Sequence, residues 1–464
     1  MGAIIHFGTD GWRARVDGDF TAENVSRLAG AAGTLWNGAH PGAVAYVGYD
    51  TRPQAREFAL LATEVLSGCG LVAMLSDRPI PTPALSWACA QDPRACGALM
   101  VTGSHHPNDY LGVKIRVGDG GGGSPDFLDE LEQAIEPEPC DERGAIQEID
   151  LVTPYLEDLK AQIDSDMIAS AGLKIVCDPM YGSGCGCLSE VLGSLGVEAA
   201  EIHGAGEPFD KDLRPEPIEP WVDDCERTVV ECGASAGLVA DGDADRLAAV
   251  DERGRYVPAH VIIALLIGHL VKNRGERGRV VLNLSSSVLP RRVAKALGCR
   301  VTIKPIGFKY IYEEMLKGDV LIGGEEAGGI GIPSHLYERD GILCSLLLCE
   351  LMAQTGKTLG KLVDELAEHF GVQSYARRDL RLEPEVIESM RMMLPGLNPP
   401  VVAGEHPCAV SHMDGLRLEF EDESWLLLRP SGTEPVVRVY AEASSVERRD
   451  ELLDAGVAIA RGEL

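Results

Sequence analysis

The chain has 464 residues, of which 45% are hydrophobic and 25% are charged. These fractions are typical of globular domains, and at roughly 100–200 residues per domain the length predicts three or four of them. The 72 acidic residues outnumber the 42 lysines and arginines, which gives a formal net charge of -30. A surface this acidic repels nucleic acid and anionic membranes, so we expect neither as a partner. A site for an anionic ligand must therefore concentrate cations or backbone N–H groups locally.

The 13 cysteines show no repeated C-x-x-C spacing. We interpret them as reduced thiols, which favours a cytoplasmic protein. No targeting segment is recognised before the first motif, which starts at Phe7. The apolar stretch 261–271 is interrupted by Gly268 and His269 and is too short to span a bilayer, so it is predicted to be a buried helix.

Apolar runs that end in polar turns alternate with longer segments of helical spacing. The runs are 43–50, 96–104, 173–184, 236–246 and 279–287. This recurrence predicts βαβ units with mostly parallel strands, whose ligands bind at the carboxyl ends of the strands. Three α/β domains and a smaller α+β domain are expected. Their predicted boundaries are 1–150, 151–250, 251–372 and 373–464.

The segment TGSHHPNDYLGVK (102–114) places a serine on the turn that follows an apolar run. Ser104 is a candidate nucleophile, and His105 and Lys114 could supply proton transfer or positive charge beside it. An isolated Ser-His pair is more often a polar turn with a capping serine. The G-x-S-x-G turn of serine hydrolases is absent from this segment.

The segment DGDADR (241–246) alternates aspartates with small residues. Asp241, Asp243 and Asp245 face the same way on an extended backbone, so three carboxylates can converge on one cation. Hard oxygen ligands favour Mg²⁺ or Ca²⁺. A Ca²⁺-binding EF-hand is one alternative, because Glu252 falls at its twelfth position, but Arg246 stands where that loop needs glycine. A solvated acidic turn is the other.

Three further segments carry candidate binding residues. In RPSGTEPVVR (429–438), two arginines bracket a Gly-containing turn that could form a phosphate-binding nest, although a plain hairpin turn is the simpler alternative. In GGEEAGGIG (323–331), Glu325 and Glu326 could accept hydrogen bonds from sugar hydroxyls, although loop glutamates are usually just solvated. In FGTDGWRAR (7–15), Arg13 follows a glycine turn that could be purely structural.

Together, and in this order along the chain, these five segments resemble the signatures of the α-D-phosphohexomutase family, which comprises phosphoglucomutases and phosphomannomutases. The family patterns are FGT-x-G-x-R, T-x-SHNP, DGD-x-DR, GE-x-SG and R-x-SGTEP. The resemblance extends over nearly the whole chain. It implies an α/β fold in which three similar mixed-sheet α/β domains and a smaller α+β domain surround a central cleft.

The resemblance also implies a role for each site residue. Ser104 would carry the phosphoryl group, with Arg13, His105 and Lys114 at the phosphoryl-transfer site. Asp241, Asp243 and Asp245 would hold Mg²⁺, with an oxygen on Ser104 as a further ligand. Glu325, Arg246 and Lys309 would contact the substrate. Its phosphate would be bound by Arg429, Ser431, Gly432, Thr433 and Arg438.

The implied activity is the interconversion of hexose 1- and 6-phosphates through a phosphoserine, with a hexose 1,6-bisphosphate as intermediate and activator. The expected partner is a sugar phosphate, and the protein is expected to be a monomer or a homodimer. Gly103, His106 and Ala327 depart from the family patterns. Glu326 resembles the glucose-type loop, which favours glucose over mannose or glucosamine. A catalytically silent sugar-phosphate binding protein and a metal-dependent phosphatase are the alternatives of other classes.

Overall fold

The computed structural model describes residues 4–8, 10–205, 214–431 and 436–463, and it contains four β-sheets in chain order. The first sheet has six strands in the order β1-β5-β4-β2-β3-β6. These are β1 (Trp12–Arg15), β2 (Val44–Tyr49), β3 (Val72–Ser76), β4 (Ala95–Val101), β5 (Tyr110–Val117) and β6 (Gln147–Ile149). Its helices are α1 (Ala22–Ala39), α2 (Ala55–Gly68), α3 (Thr82–Gln91) and α4 (Pro125–Gln133). The sheet is mixed, because β4 pairs parallel with β2 and antiparallel with β5.

The second sheet has five strands in the order β11-β10-β9-β7-β8. These are β7 (Lys174–Asp178), β8 (Glu198–Glu201), β9 (Ala236–Ala240), β10 (Leu247–Asp251) and β11 (Tyr256–Val257). Its helices are α5 (Val152–Ala161), α6 (Ser165–Ser170), α7 (Cys187–Ser194) and α8 (Asp223–Cys232). Strand β9 pairs parallel with β7 and antiparallel with β10. A tight turn therefore joins β9 and β10, and the three aspartates lie in it.

The third sheet has four strands in the order β13-β12-β14-β15. These are β12 (Arg279–Asn283), β13 (Val301–Lys304), β14 (Val320–Gly324) and β15 (Ile330–Gly331). Its helices are α9 (Ala259–Gly268), which continues as a π-helical turn (His269–Asn273), α10 (Val288–Ala296), α11 (Phe308–Met315), α12 (Gly341–Thr355) and α13 (Leu359–Phe370). Helix α9 is almost entirely buried, as predicted for the apolar stretch that begins at 261.

The fourth sheet is wholly antiparallel, in the strand order β16-β20-β19-β18-β17. Its strands are β16 (Ser374–Arg381), β17 (Ala409–Ser411), β18 (Leu416–Glu419), β19 (Trp425–Pro430) and β20 (Val436–Ala443). Its helices are α14 (Pro384–Met393), a short 3₁₀ turn (Leu394–Gly396) and α15 (Val446–Arg461). Three mixed sheets followed by an antiparallel α+β unit confirm the predicted fold class. The domain boundaries given above stay a prediction.

Burial of apolar side chains joins the domains as well as building them. One continuous core contains Leu85 of the first sheet's helices, Leu238 of β9 and Leu346 of α12, so it runs through the first three domains. A smaller cluster joins the third and fourth domains, because it contains both Val288 and Trp425. Such burial contributes about 25 cal/mol per Å² of apolar surface, so these contacts hold neighbouring domains, and their loops, in register.

Among the described residues, no single helix is long and apolar enough to cross a membrane. The pair Gly341–Thr355 and Leu359–Phe370, bent by 83°, passes the same criterion only when the two are taken together, by length and composition.

Candidate active site

Ser104 lies in the turn that follows β4, and its backbone is strained. Its φ is 49°, in the left-handed region that residues other than glycine rarely adopt. Asp50 fixes the approach to this turn, because its Oδ2 accepts hydrogen bonds from Thr102 Oγ1 at 2.7 Å and from the N–H of Gly103 at 3.0 Å. Strain of this kind persists only where the surroundings over-determine the conformation, which is typical of functional sites.

The turn between β9 and β10 brings the three aspartates together. Asp241, Asp243 and Asp245 are all fully buried, and one oxygen of each lies within 4.8 Å of the others. The N–H groups of Asp245 and Arg246 both donate to Asp241 Oδ1 at 3.1 Å, which closes the turn. Because strands rather than helices flank it, the loop is not an EF-hand.

The serine turn and the aspartate turn meet in one buried site. Ser104 Oγ donates to Asp241 Oδ2 at 3.2 Å. Thr82, the first residue of α3, donates its hydroxyl to Asp243 Oδ2 at 2.5 Å and its N–H to the Asp243 carbonyl at 2.9 Å. The first two domains therefore supply opposite walls of the same site.

Lys114 on β5 neutralises much of the aspartate charge. Its Nζ lies 2.6 Å from Asp243, 2.5 Å from Asp245 and 2.8 Å from Asp10. Burial by itself lowers the pKa of Lys114, but these three carboxylates together raise it above its ordinary value. The lysine is therefore held as a cation in a site that excludes water.

The protein's own cations leave the aspartate charge only partly satisfied. Burial, followed by repulsion from Asp245 and Asp243, raises the pKa of Asp241 well above its ordinary value. Among the described residues, Oδ1 of Asp243 and Oδ1 of Asp245 are buried without a hydrogen-bond partner. Three clustered carboxylates with unused oxygens are a donor set that suits a hard divalent cation such as Mg²⁺. The cluster can therefore hold a metal ion.

His105 and Arg13 are the two side chains predicted to assist Ser104 at the phosphoryl-transfer site. His105 Nδ1 lies 3.3 Å from Ser104 Oγ, and burial, with Arg246 and His106 next, holds the pKa of His105 well below its ordinary value. The imidazole is therefore neutral. Arg13 on β1 is partly exposed, but its Nε is buried and has no hydrogen-bond partner within the described part of the chain. It is a cationic donor available to an anionic group.

Arg246 follows the three aspartates in the same turn, and its side chain lies near two of them. Its Nε lies 3.9 Å from both Asp241 Oδ2 and Asp245 Oδ1, and its Nη1 lies 3.9 Å from Glu216. These distances are too long for hydrogen bonds, so Arg246 contributes charge to the site rather than hydrogen bonds to these three carboxylates.

The two glutamates predicted to bind sugar hydroxyls occupy different environments after β14. Glu325 is buried, and its Oε1 accepts the N–H of Gly307 at 3.2 Å. Burial raises the pKa of Glu325 to about 7 although Arg339 opposes this. Glu326 accepts a hydrogen bond from Asn283 Nδ2 at 2.6 Å and is partly exposed. The two carboxylates therefore differ in their surroundings and in access.

The two arginines predicted to bind phosphate lie opposite each other on neighbouring strands of the fourth sheet. Arg429 on β19 pairs directly with Arg438 on β20. Arg429 Nε donates to Asp414 Oδ2 at 2.9 Å, and the same oxygen accepts the N–H of Ile306 at 2.9 Å. Asp414 therefore ties the arginine to the segment of the third domain that leads to Lys309.

The remaining predicted residues are placed as follows. Lys309 lines a narrow pocket with Asp10 and Arg339, and its Nζ lies 5.5 Å from the centre of the Tyr310 ring. Ser431 is buried, and its N–H donates to the Val436 carbonyl at 2.8 Å. The predicted ligands Gly432 and Thr433 lie outside the described residues.

Two charged residues of the site were missed by the sequence reasoning. Arg339, in the loop before α12, contacts Asp245 at 2.8 Å and also binds Asp10. Asp10 in turn contacts Lys114 and Arg116. Burial raises the pKa of Asp10, but its four cationic neighbours together hold that pKa well below its ordinary value. Asp10 lies in the same FGTDGWRAR segment as Arg13, so the sequence could have indicated it as a site residue. Arg339 stands in no motif that was singled out.

Comparison with known proteins assigns the chain to a family. Four family models match in succession: the phosphoglucomutase/phosphomannomutase alpha/beta/alpha domains I, II and III and the C-terminal domain. They match residues 5–140, 153–254, 258–370 and 397–458. The chain belongs to the phosphoglucomutase/phosphomannomutase family.

Individual members of the phosphoglucomutase/phosphomannomutase family align over almost the full length. A probable phosphoglucosamine mutase from Methanopyrus kandleri is 30% identical over 98% of this chain and 98% of its own. A phosphoglucomutase/phosphomannomutase from Thermococcus kodakarensis is 28% identical over 97% of each. The crystal structure of a putative phosphomannomutase from Thermus thermophilus is 34% identical, covers 100% of both chains and superposes with a TM-score of 0.88.

The phosphoglucomutase/phosphomannomutase family consists of mutases, so the chain is an enzyme of the isomerase class. The family, the fold class and the class of enzyme predicted from the motifs are confirmed. The relatives are named for different hexoses, so family membership leaves the sugar open. The role of each site residue stays a prediction.

We expect Asp243→Asn to weaken Mg²⁺ binding by at least about 10-fold, because the substitution removes one of three buried anionic ligands. Isothermal titration of the purified protein with Mg²⁺ measures this. Asp223→Asn, which removes the same charge from an exposed position on α8, is the control and should bind Mg²⁺ as the unaltered protein does. Equal affinities in the two variants would argue against the metal site.

We expect the raised pKa of Glu325 to appear as a pH-dependent stability. The carboxyl titrates near pH 7 in the folded protein and near 4.3 in an unfolded chain, so its stabilising contribution is complete below about pH 4 and is lost as the pH rises through 7. From pH 5 to pH 8.5, the unaltered protein should lose about 2–3 kcal/mol relative to Glu325→Gln.

Melting curves of the ligand-free proteins at both pH values measure this difference. Glu190→Gln, at an exposed position on α7, is the control and should follow the unaltered protein. Parallel pH dependence of the unaltered protein and Glu325→Gln would contradict a carboxyl that ionises near pH 7.

Proposed function

We propose that this enzyme interconverts hexose 1-phosphates and hexose 6-phosphates through a phosphate carried on Ser104. The contact between Ser104 Oγ and the aspartate cluster carries this proposal, because Oγ lies 3.2 Å from Asp241 Oδ2. A phosphate on that oxygen would enter a site already built to hold a divalent cation. Phosphoryl transfer depends mainly on positioning and on neutralising charge, which such a site supplies.

In the first half-reaction the Ser104 oxygen–phosphorus bond breaks and a bond forms from phosphorus to a hydroxyl oxygen of the sugar monophosphate. His105, neutral and 3.3 Å from Ser104 Oγ, accepts the proton that this hydroxyl loses. Arg13, whose Nε has no partner among the described residues, donates to the transferring group, and Lys114 keeps the aspartates in place. Mg²⁺ on Asp241, Asp243 and Asp245 would supply further positive charge at the same group.

In the second half-reaction the hexose 1,6-bisphosphate has reoriented within the cleft and gives its other phosphate to Ser104. The bond from that phosphorus to the sugar oxygen breaks, a bond from phosphorus to the Ser104 oxygen forms, and His105 returns its proton to the sugar oxygen. Glu325 accepts hydrogen bonds from sugar hydroxyls in either orientation, and Arg246 and Lys309 contact the substrate from opposite loops. The phosphate that does not react binds the loop of the fourth domain. The residues proposed for this loop are Arg429, Ser431, Gly432, Thr433 and Arg438. Added bisphosphate restores enzyme that has lost its phosphate, so it acts as an activator.

We propose glucose as the preferred hexose. Glu326 supports this choice, because it gives the loop a second carboxylate, which a hydrogen bond from Asn283 orients. Ala327 offers no hydroxyl, so the loop contacts the sugar through carboxylates. The relatives named for mannose or glucosamine keep those two sugars as the alternatives. A monomeric or homodimeric enzyme in the cytoplasm remains our expectation.

We expect Ser104→Ala to abolish mutase activity, with a loss of at least about 10³-fold, because the substitution removes the oxygen that carries the phosphate. Ser76→Ala removes another buried serine hydroxyl of the first domain, at the end of β3, and should leave activity within about 2-fold. Coupled assays from glucose 1-phosphate to glucose 6-phosphate measure both variants.

Intact-mass spectrometry should find one phosphate on the unaltered protein after incubation with glucose 1,6-bisphosphate, and none on Ser104→Ala. Near-normal turnover by Ser104→Ala would refute the proposed carrier. An unaltered protein that takes up no phosphate would indicate the silent binding protein, and release of inorganic phosphate in proportion to substrate consumed would indicate the phosphatase.

We expect kcat/KM to be highest for glucose 1-phosphate when it is compared with mannose 1-phosphate and glucosamine 1-phosphate under a trace of the matching bisphosphate. Glu326→Gln should reduce the advantage of glucose about 10-fold, because one oriented hydrogen bond to a charged group contributes about 1.5–3 kcal/mol. A preference for glucosamine 1-phosphate in the unaltered enzyme would overturn the choice of glucose while leaving the mutase assignment intact.

A further inference from the structure

Arg52, just after β2, spreads its guanidinium over the backbone of the serine turn. Its Nη2 donates to the carbonyls of Ser104 and His106, both at 2.6 Å. Its Nη1 donates to the carbonyls of Pro107 at 2.5 Å and Tyr110 at 2.9 Å. One side chain therefore gathers four carbonyl groups, which belong to the turn itself and to the start of β5.

A carboxylate pairs with the remaining nitrogen of the same guanidinium. Arg52 Nε lies 3.3 Å from Asp50 Oδ2, the oxygen that also accepts hydrogen bonds from Thr102 and Gly103. The side chains of Arg52 and Asp50 are only 2% and 1% exposed, so water does not compete for these bonds. Asp50 holds the chain before Ser104, and Arg52 holds the chain at Ser104 and after it.

Gly103 leaves the space in which the guanidinium sits. A Cβ added to Gly103 would lie 2.2 Å from both Cζ and Nη1 of Arg52, which is far closer than atoms can approach. The guanidinium therefore packs directly against the Gly103 backbone. This contact gives the departure of Gly103 from the usual serine-loop pattern a physical reason.

We propose that Arg52 is the positioning residue that holds Ser104 in its strained conformation, with Oγ directed at the aspartate cluster. The inference rests on the proposed function of Ser104. A residue at φ 49° relaxes unless its neighbours prevent it, and the Arg52 bonds to the carbonyls on either side of His105 oppose that relaxation. Arg52 does not touch the transferring group in this role, so its effect reaches the reaction only through the Ser104 oxygen.

Arg52→Lys tests this role because it keeps the positive charge and removes the planar fork. A lysine ammonium has three donors on a flexible stem and cannot span four carbonyls in this geometry. We expect kcat to fall about 100-fold, the loss typical of a reacting atom misplaced by about 1 Å. KM for glucose 1-phosphate and the affinity for Mg²⁺ should each stay within about 3-fold, because the residues proposed to bind them are unchanged.

The rate at which glucose 1,6-bisphosphate phosphorylates Ser104, followed by rapid quenching and intact-mass spectrometry, should fall by the same factor as kcat. This readout separates positioning from a general loss of stability. Arg279→Lys is the matched control, because Arg279 is also buried and bound to Glu314, Asp319 and Thr302 in the third domain. It should lower the melting temperature and leave the phosphorylation rate within about 2-fold.

The outcomes distinguish this inference from the function on which it rests. If the unaltered protein takes up no phosphate on Ser104, the proposed function fails. If it does, and folded Arg52→Lys is phosphorylated at the same rate, the positioning role alone is wrong. An equal loss of rate in Arg279→Lys would also overturn it.

Asp50→Asn provides a second variant should Arg52→Lys fail to fold. The amide preserves the shape of Asp50 but removes the charge that pairs with the Arg52 guanidinium, so kcat and the phosphorylation rate should fall together by about 10-fold. A folded Asp50→Asn protein with both rates unchanged would count against the inference.

Discussion

Three carboxylates confined to one buried turn are the constraint on which the rest of the site depends. Asp241, Asp243 and Asp245 are inaccessible to water. Like charges repel each other more strongly in a protein interior than in water. The chain meets this repulsion with cations from other domains, Lys114 on β5 and Arg339 before α12. The second domain's turn is therefore stable in this form only when the first and third domains are assembled around it.

Buried polar atoms without hydrogen-bond partners indicate which charges a bound ligand would have to supply. Two aspartate oxygens and Arg13 Nε are buried without partners among the described residues. A buried polar atom without a partner costs free energy, so such atoms persist where a ligand completes them. A cation would complete the aspartates, and an anionic group would complete Arg13. The two kinds of group lie close together, which is the arrangement that the proposed phosphoryl transfer needs.

The fourth domain contributes to the site through its contacts with the third. Glu442 on β20 accepts hydrogen bonds from the N–H of Val288 at 2.9 Å and from Trp425 Nε1 at 2.7 Å. Together with Asp414, which joins Ile306 to Arg429, it anchors β19 and β20 against the third domain. The distance between the Ser104 turn and the Arg429 strand is thus set in part by an interface between the third and fourth domains.

The sequence alone determined the parts of this protein that depend on short spacing. The alternation in DGDADR predicts convergent carboxylates, and the apolar run before Ser104 predicts a serine at the end of a strand, because backbone periodicity fixes where neighbouring side chains point. The ordered motifs likewise determined the family, and the recurrent runs determined the α/β fold class. Each motif and each apolar run lies within about a dozen consecutive residues.

Only the tertiary structure decided which distant residues complete those motifs. Arg339 binds Asp10, which is 329 residues away in the chain, and Arg52 reaches Ser104 across 52 residues. No local pattern marks either arginine, because their partners are backbone carbonyls and carboxylates that packing of the sheets brings near. Periodicity shows which way a side chain faces, but what it meets there is decided by how the domains pack.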